Sequence, residues 1–268
     1  MREVVLQGGL TNAGRVIRIG DTVRRPWRST SPATRALLEH LEQVGFDGAP
    51  RHLGVDDRGR EVLSFVPGEA AIDPVPAWAL TDEALVSVAE LLRRYHDAVA
   101  SFDGAPHTWP QAVPGAFGGG IVTHNDPNLD NLIFVGGRAV ALVDFDLASP
   151  ACAAWDVACA ARLWAPLRDD QDVPEPLRGR TFARLRLFAD AYGTPKADRE
   201  RVVDAMVHTH DWCYGVVRAA IADGHEPFGR MWRGGGGARA VRTRRWLAAH
   251  GEAMGCALGC AASSSSPF

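Results

Sequence analysis

The sequence predicts an α+β chain of two unequal lobes, a small antiparallel sheet followed by a larger, mainly helical part. Three observations carry this. Residues 1–67 hold short β-branched runs broken by glycine and proline. From Pro67 onward apolar residues recur at helical spacing. Between Ile121 and Pro150 the helical pattern is interrupted by two apolar runs around Gly136-Gly137, with acidic and amide residues at both ends.

The runs "EVVLQGG" and "RVIRIGDTVRRP" read as a hairpin pair. Ser31 to Val44 carries Leu37, Leu38, Leu41 and Val44 on one helical face, with Ser31 as N-cap, Pro32 in the first turn and Gly45 as the stop. "APRHLGVDDRGREVLSFVPG" gives two further strands joined by the turn "DDRG". Thr81 to Val99 is an amphipathic helix with Leu85, Val88, Leu92 and Tyr95 on a shared face. Past Pro150 the periodicity predicts helices near 153–164, 177–192, 197–222 and 238–250. The small, polar end is expected to fray. The expected domains are an N-terminal lobe with its connector over 1–67, a helical lobe over 68–255, and a disordered tail over 256–268.

With 268 residues there is ample material for a core, and 46% hydrophobic with 23% charged residues is the composition of an ordinary globular chain. A formal charge of -3 gives no reason to expect nucleic acid or an anionic membrane as partner. Five cysteines without scaffold spacing, and no apolar run of about 18 residues, lead to the expectation of reduced thiols and a cytoplasmic protein.

The chemistry is concentrated in "IVTHNDPNLDNLIFVGGRAVALVDFDLASP". His124, Asp126 and Asn131 precede the first apolar run, and Asp144 ends the second, eighteen residues after Asp126. Phosphoryl transfer needs a carboxylate near the acceptor hydroxyl and oxygen ligands for a magnesium ion on the phosphates. The spacing H-x-D-x-x-x-x-N followed by D meets that need and matches the catalytic loop and metal aspartate of protein kinases. The competing reading of each residue alone is a plain turn, since Asp and Asn favour bends.

Over nearly its whole length the chain resembles the aminoglycoside phosphotransferase and choline kinase branch of the protein-kinase-like fold. The resemblance implies a small-molecule kinase that uses Mg2+ and ATP (or GTP) and has a hydroxyl group of an aminoglycoside-like or other small compound as acceptor. Asp126 would be the catalytic base, His124 a support of the loop, and Asn131 and Asp144 the magnesium ligands. Asp146 takes the acidic position that follows, and Asp156 in "WDVACAARLW" would brace the catalytic loop. The glycine-rich phosphate loop would lie in "LQGGLTNAGRVIRIG", through Gly8, Gly9, Thr11 and Asn12. Arg24, ahead of Arg25, takes the place of the phosphate-pairing lysine. Its usual glutamate partner is replaced by Thr34, and Glu39 lies on another helical face. Backbone groups near Ser64 and Phe65 would meet the adenine edge.

Other candidates weigh less. His96 reads as a structural histidine. His208 and His210 point about 200° apart on a helix, so with Cys213 they do not form a metal cage. Cys152 and Cys159 lack a C-x-x-C pattern. An acidic stretch, Asp169, Asp170, Asp172 and Glu175 beside Trp164, would suit a polycationic acceptor or be a solvated loop. Trp155, Trp164, Trp212 and Trp232 leave an aromatic cage open. A second function class also stays open, a non-catalytic kinase-like binding or toxin-immunity protein. Such a protein has no need of Asp126, Asn131 and Asp144.

Overall fold

The computed structural model describes residues 3–6, 9–12, 14–72 and 74–260. Its first part is a five-stranded antiparallel sheet in the order β1-β2-β3-β5-β4, built from β1 (Glu3–Val5), β2 (Ile17–Ile19), β3 (Thr22–Pro26), β4 (His52–Val55) and β5 (Arg60–Ser64). Strands β2 and β3 pair Ile19 with Thr22 across a two-residue turn whose Gly20 has φ 59°. In the centre of the sheet β3 lies against β5, and this register sets Arg25 opposite Glu61.

Helix α1 (Ser31–Gln43) buries Leu37, Leu38 and Leu41. Its N-cap is Thr30 rather than Ser31, and no side chain caps the end. The Ser31 hydroxyl instead accepts from the Arg28 N–H at 3.0 Å, which tightens the chain ahead of the helix. Thr34, at the position where a glutamate was sought, is buried.

The two lobes are joined through Phe65–Gly68, after which Glu69 pairs with Phe134 through reciprocal hydrogen bonds of 2.9 and 2.8 Å. Gly68 has φ 141°, and a Cβ there would lie 2.6 Å from the Phe134 carbonyl oxygen, so only glycine lets the connector lie this close to the second lobe.

That lobe is centred on α2 (Asp82–Val99), capped by the Thr81 hydroxyl accepting from the Ala84 N–H at 3.1 Å. Two short antiparallel strand pairs lie beside it. Strand β6 (Ile121–Thr123) pairs with β9 (Ser149–Ala151), and β7 (Leu132–Val135) pairs with β8 (Arg138–Leu142) across Gly136-Gly137. Both glycines have positive φ, 56° and 78°, as the tight turn requires. Helices α3 (Ala153–Trp164), α4 (Thr181–Tyr192), α5 (Arg199–Ala222), α6 (Glu226–Met231), α7 (Gly237–Ala249) and α8 (Gly251–Leu258) complete the lobe. Tyr95, Phe134, Phe145 and Trp155 are among its most deeply buried side chains.

Two elements differ from the sequence expectation. The helix expected from 177 begins at Thr181, because Glu175–Leu177 forms a separate 3-10 turn. The tail expected to fray from 256 is helical to Leu258. Met254 and Leu258 are each 1% exposed, and Arg199 donates to the Leu258 carbonyl at 2.9 Å. Residues 261–268 lie outside the described part. Among the described residues no helix is long and apolar enough to cross a membrane.

Candidate active site

The site is built where β6 ends and β7 begins. Asn125 has φ 66°, a left-handed conformation that asparagine tolerates. Three contacts hold it there. Its amide donates to the Leu147 carbonyl and to the Ser149 hydroxyl, both at 2.8 Å, and its own N–H donates to Asp156 at 2.8 Å. Asp156, fully buried on α3, also accepts the His124 N–H at 2.8 Å and faces His96 at 3.0 Å. Burial alone would raise its pKa, but hydrogen bonding from His96 and the two nearby imidazoles hold it below the usual carboxylate range. His96 in turn meets the Tyr192 hydroxyl at 2.7 Å, so helices α2, α3 and α4 jointly fix the loop. His124 is buried, which pushes its pKa down. Its Nε2 faces the Val143 carbonyl at 3.0 Å and its Nδ1 accepts from the Asp126 N–H at 3.3 Å. These two contacts define the Nε2–H tautomer.

Asp126 is thereby aimed between the lobes. One carboxylate oxygen accepts from the Asn128 amide. The other accepts from the Asn131 amide at 2.9 Å, which leaves the Asn131 carbonyl oxygen for another ligand. Burial, with the charges of Asp144 and Asp130, pushes Asp126 up to about 7. Asp144 sits at φ 60° between β8 and a 3-10 turn, and burial together with Asp146 raises it to about 7 as well. Carboxylates pressed together in this way favour a divalent cation among them.

A cavity of about 420 Å³ separates the lobes. It is lined by Gly9, Asn12, Arg25, Ser64, Phe65, Asn131 and Asp144, with Leu6, Val16, Val23, Leu63 and Ile133 giving it an apolar end. Seven residues chosen from the sequence therefore meet here or at its edge, namely Gly9, Asn12, Ser64, Phe65, Asn131, Asp144 and Asp126. Gly8 lies outside the described residues. Thr11 does not line the cavity, and its carbonyl accepts from Arg15 at 3.2 Å.

The structure corrects one reading, the choice of Arg24, and adds detail to two others. Arg24 points away from the cavity, towards Asp56 at 3.6 Å. Arg25 points in, reaching Asp146 at 2.8 Å and Asp144 at 3.5 Å. The partner of the basic residue is fully buried Glu61, directly across the strand pair, at 2.5 Å, so a helix glutamate is not needed. The N–H groups of Ser64 and Phe65 are taken by the Arg51 and Asp21 carbonyls, both at 2.9 Å. An adenine edge would therefore have to use other backbone groups of this connector.

Two residues of the acidic stretch are engaged. Asp172 is held by Arg242 through two contacts of 2.7 and 2.9 Å, and Asp169 accepts from the Gln171 N–H at 3.1 Å. Trp164 sits by the catalytic loop, donating to the Pro127 carbonyl at 3.0 Å.

Three positions at the site escaped the sequence reading. Asp130 accepts the Gly9 N–H at 3.0 Å, which draws the glycine loop onto the lower lobe. Arg28 bonds Asn12 at 2.7 Å and lies 3.3 Å from Asp146, while Asn12 donates to Asp146 at 3.0 Å. Glu61, the buried partner of Arg25, is the third. The short spacing to "HND" could have pointed to Asp130, but nothing in the sequence marks Arg28. Among the described residues no three His, Cys, Asp or Glu side chains form a metal cage, which includes His208, His210 and Cys213. Asp144 and Asn131 do fit magnesium, as a hard anionic oxygen and an amide oxygen that leave most positions to phosphates and water.

Comparison with known proteins agrees with this geometry. The profile of the phosphotransferase enzyme family matches residues 109–192, the stretch holding Asp126, Asn131 and Asp144. The chain is 34% identical to the trifolitoxin immunity protein of Rhizobium leguminosarum bv. trifolii, over 93% of this chain and 97% of that one. It is 29% identical to a homoserine kinase of Brucella anthropi, over 66% of this chain and 53% of that one. A choline/ethanolamine kinase family protein from Mesorhizobium loti superposes with a TM-score of 0.63 at 17% identity, covering 97% and 92% of the two chains. The chain belongs to the phosphotransferase enzyme family, and its two-lobed fold is protein-kinase-like.

Proposed function

We propose that this protein is an active small-molecule kinase that transfers the γ-phosphoryl group of ATP or GTP to a hydroxyl. The observation that carries the reading is the meeting of Asp126, Asn131, Asp144 and Arg25 at one end of the interlobe cavity. A protein that only bound a ligand would have no need of this set.

The base, buttressed by Asn128 and Asn131, is placed to take the acceptor hydroxyl proton. The acceptor oxygen forms a bond to the γ-phosphorus as the bond to the β-γ bridging oxygen breaks, and the nucleoside diphosphate leaves. Magnesium, when bound, neutralises charge on the phosphate oxygens, with Asp144 and Asn131 as its protein ligands. Arg25, oriented by Glu61, supplies a fixed guanidinium to the phosphates. Gly9, having no side chain, leaves room for them beside Asp144, while its own N–H stays on Asp130.

A second reading has its own support, since the relative matched over 93% of this chain carries an immunity name. On that reading the fold binds a toxin without turnover. Purified protein incubated with magnesium and γ-labelled ATP or GTP and a panel of hydroxyl compounds separates the two. Transfer of label supports the kinase. Nucleotide binding absent from wild type would favour the immunity reading.

A further inference from the structure

Beside the catalytic loop, and not among the residues lining the cavity, two arginines come together. Helix α3 ends beside this loop, fixed by the bond from Trp164 to Pro127, and it delivers two arginines there. Arg162 is only 8% exposed, yet its Nε has no hydrogen-bond partner among the described residues. Arg168 follows in the loop after α3, bonded by one nitrogen to the Leu163 carbonyl at 3.4 Å. Neither guanidinium has a carboxylate within 4.0 Å among the described residues, and nearby Asp172 is already held by Arg242.

The groups facing Arg162 from α5 are His210, Cys213 and Tyr214, with Trp232 packed on Tyr214 at 6.0 Å. None supplies a counter-charge. Burial pushes the Cys213 thiol and the Tyr214 hydroxyl up, so both stay neutral, and burial with Arg162 pushes His210 down. Burial and the Arg162 charge also lower Arg168. Desolvating guanidinium groups without an anion is unfavourable, and proteins rarely leave them so. Asp126, which feels the Arg162 charge, is engaged by two asparagines.

We propose that Arg162 and Arg168 receive an anionic group, a carboxylate or a phosphate, on the small hydroxyl compound whose hydroxyl meets Asp126. This rests on the kinase reading and names its acceptor class. It stands against the polycationic acceptor that the acidic stretch left open, beside its reading as a solvated loop.

The test uses matched pairs differing only in the anion, homoserine against its amide and glycerol phosphate against glycerol, with kanamycin as the cationic comparison. Binding is read by melting shift on the full chain at millimolar ligand, so turnover is not required. Nucleotide shifts recorded alongside report on the kinase reading separately. The expected result is that the anionic member of at least one pair binds about tenfold or more tightly than its neutral partner, the worth of one charge-assisted contact. The pair that discriminates tells carboxylate from phosphate. Arg168→Gln should abolish that preference while keeping the nucleotide shift. Arg162→Gln serves the same purpose if the first variant fails to fold. Equal or no binding by the anionic and neutral members, preferred binding of kanamycin, or a preference surviving both substitutions would each overturn the proposal.

Discussion

Two adjacent arginines show what a sequence can and cannot say about a single side chain. In a strand, neighbours point to opposite faces, so Arg24 and Arg25 are equivalent by spacing, and only the pairing of β3 with β5 decides between them. The expected consequence is sharp. Arg25→Gln should weaken nucleotide binding by about 10–100-fold, the loss of a charge-assisted phosphate contact. Arg24→Gln removes a partly exposed pair with Asp56 and should change it by less than about fivefold. Nucleotide titrations of both variants check this, and reversed effects would restore Arg24. The placement of Asp126 beside Asn131, by contrast, was legible from the loop spacing, and its proposed role as base can be tested. Asp126→Ala should lower turnover by roughly 10²–10⁴ with the melting temperature little changed. The base works deprotonated, and its folded pKa is about 7. Therefore kcat/KM of wild type should rise with pH through roughly 7 and level off above it, measured on any accepted substrate. A flat profile from pH 6 to about 8.5 would remove Asp126 from the role of base.

Among the elements, those with a strong period were legible and those set by packing were not. The long helix α2, the Gly136-Gly137 hairpin and α3 follow from apolar spacing and turn residues. The short helices α6 and α8 do not, because one is six residues and the other holds its place through buried Met254 and Leu258 rather than through its own pattern. Asp156 ties elements together, since one carboxylate from α3 accepts two N–H groups of the catalytic loop and meets a histidine of α2. Asp156→Asn should cost about 3–5 kcal/mol, as expected when a buried charge network loses a member. Its pH dependence has a definite sign. The folded pKa is depressed, so the stabilisation is fully present above the unfolded value of about 3.9 and is lost as pH falls through the lower folded value. The gap between the melting curves of wild type and variant should thus be constant above about pH 5 and begin to close only as pH falls below about 4. A gap unchanged at low pH would show that the carboxylate's charge is not what braces the loop.

At the scale of the whole molecule, the lobes meet through charge. Asp146 holds Arg25, Arg28 and Asn12 of the upper lobe, and Asp130 holds the Gly9 N–H. These contacts span more than a hundred residues of sequence, which is why the closure was invisible to local spacing while the two-lobed division was not. They also separate two aspartates that the sequence could only rank. Asp144 faces the cavity with Arg25 at a long 3.5 Å, and Asp146 is already saturated by partners. Magnesium and nucleotide should bind between the lobes and stabilise the fold by about 2.7 kcal/mol at a nucleotide concentration of 100 times Kd. For a chain of this size that is a melting shift on the order of 5–10 °C. Asp144→Asn should remove most of the magnesium-dependent part, because a cation bridging phosphates needs an anionic oxygen from the protein. Asp146→Asn should keep the magnesium dependence but lower the melting temperature of the free protein, since it loosens Arg25 and the glycine loop. Melting curves with ATP and GTP, each with and without magnesium, distinguish these effects. A magnesium-dependent shift that survives Asp144→Asn and vanishes in Asp146→Asn would exchange the two roles, and would make the clasp seen between the lobes the metal site itself.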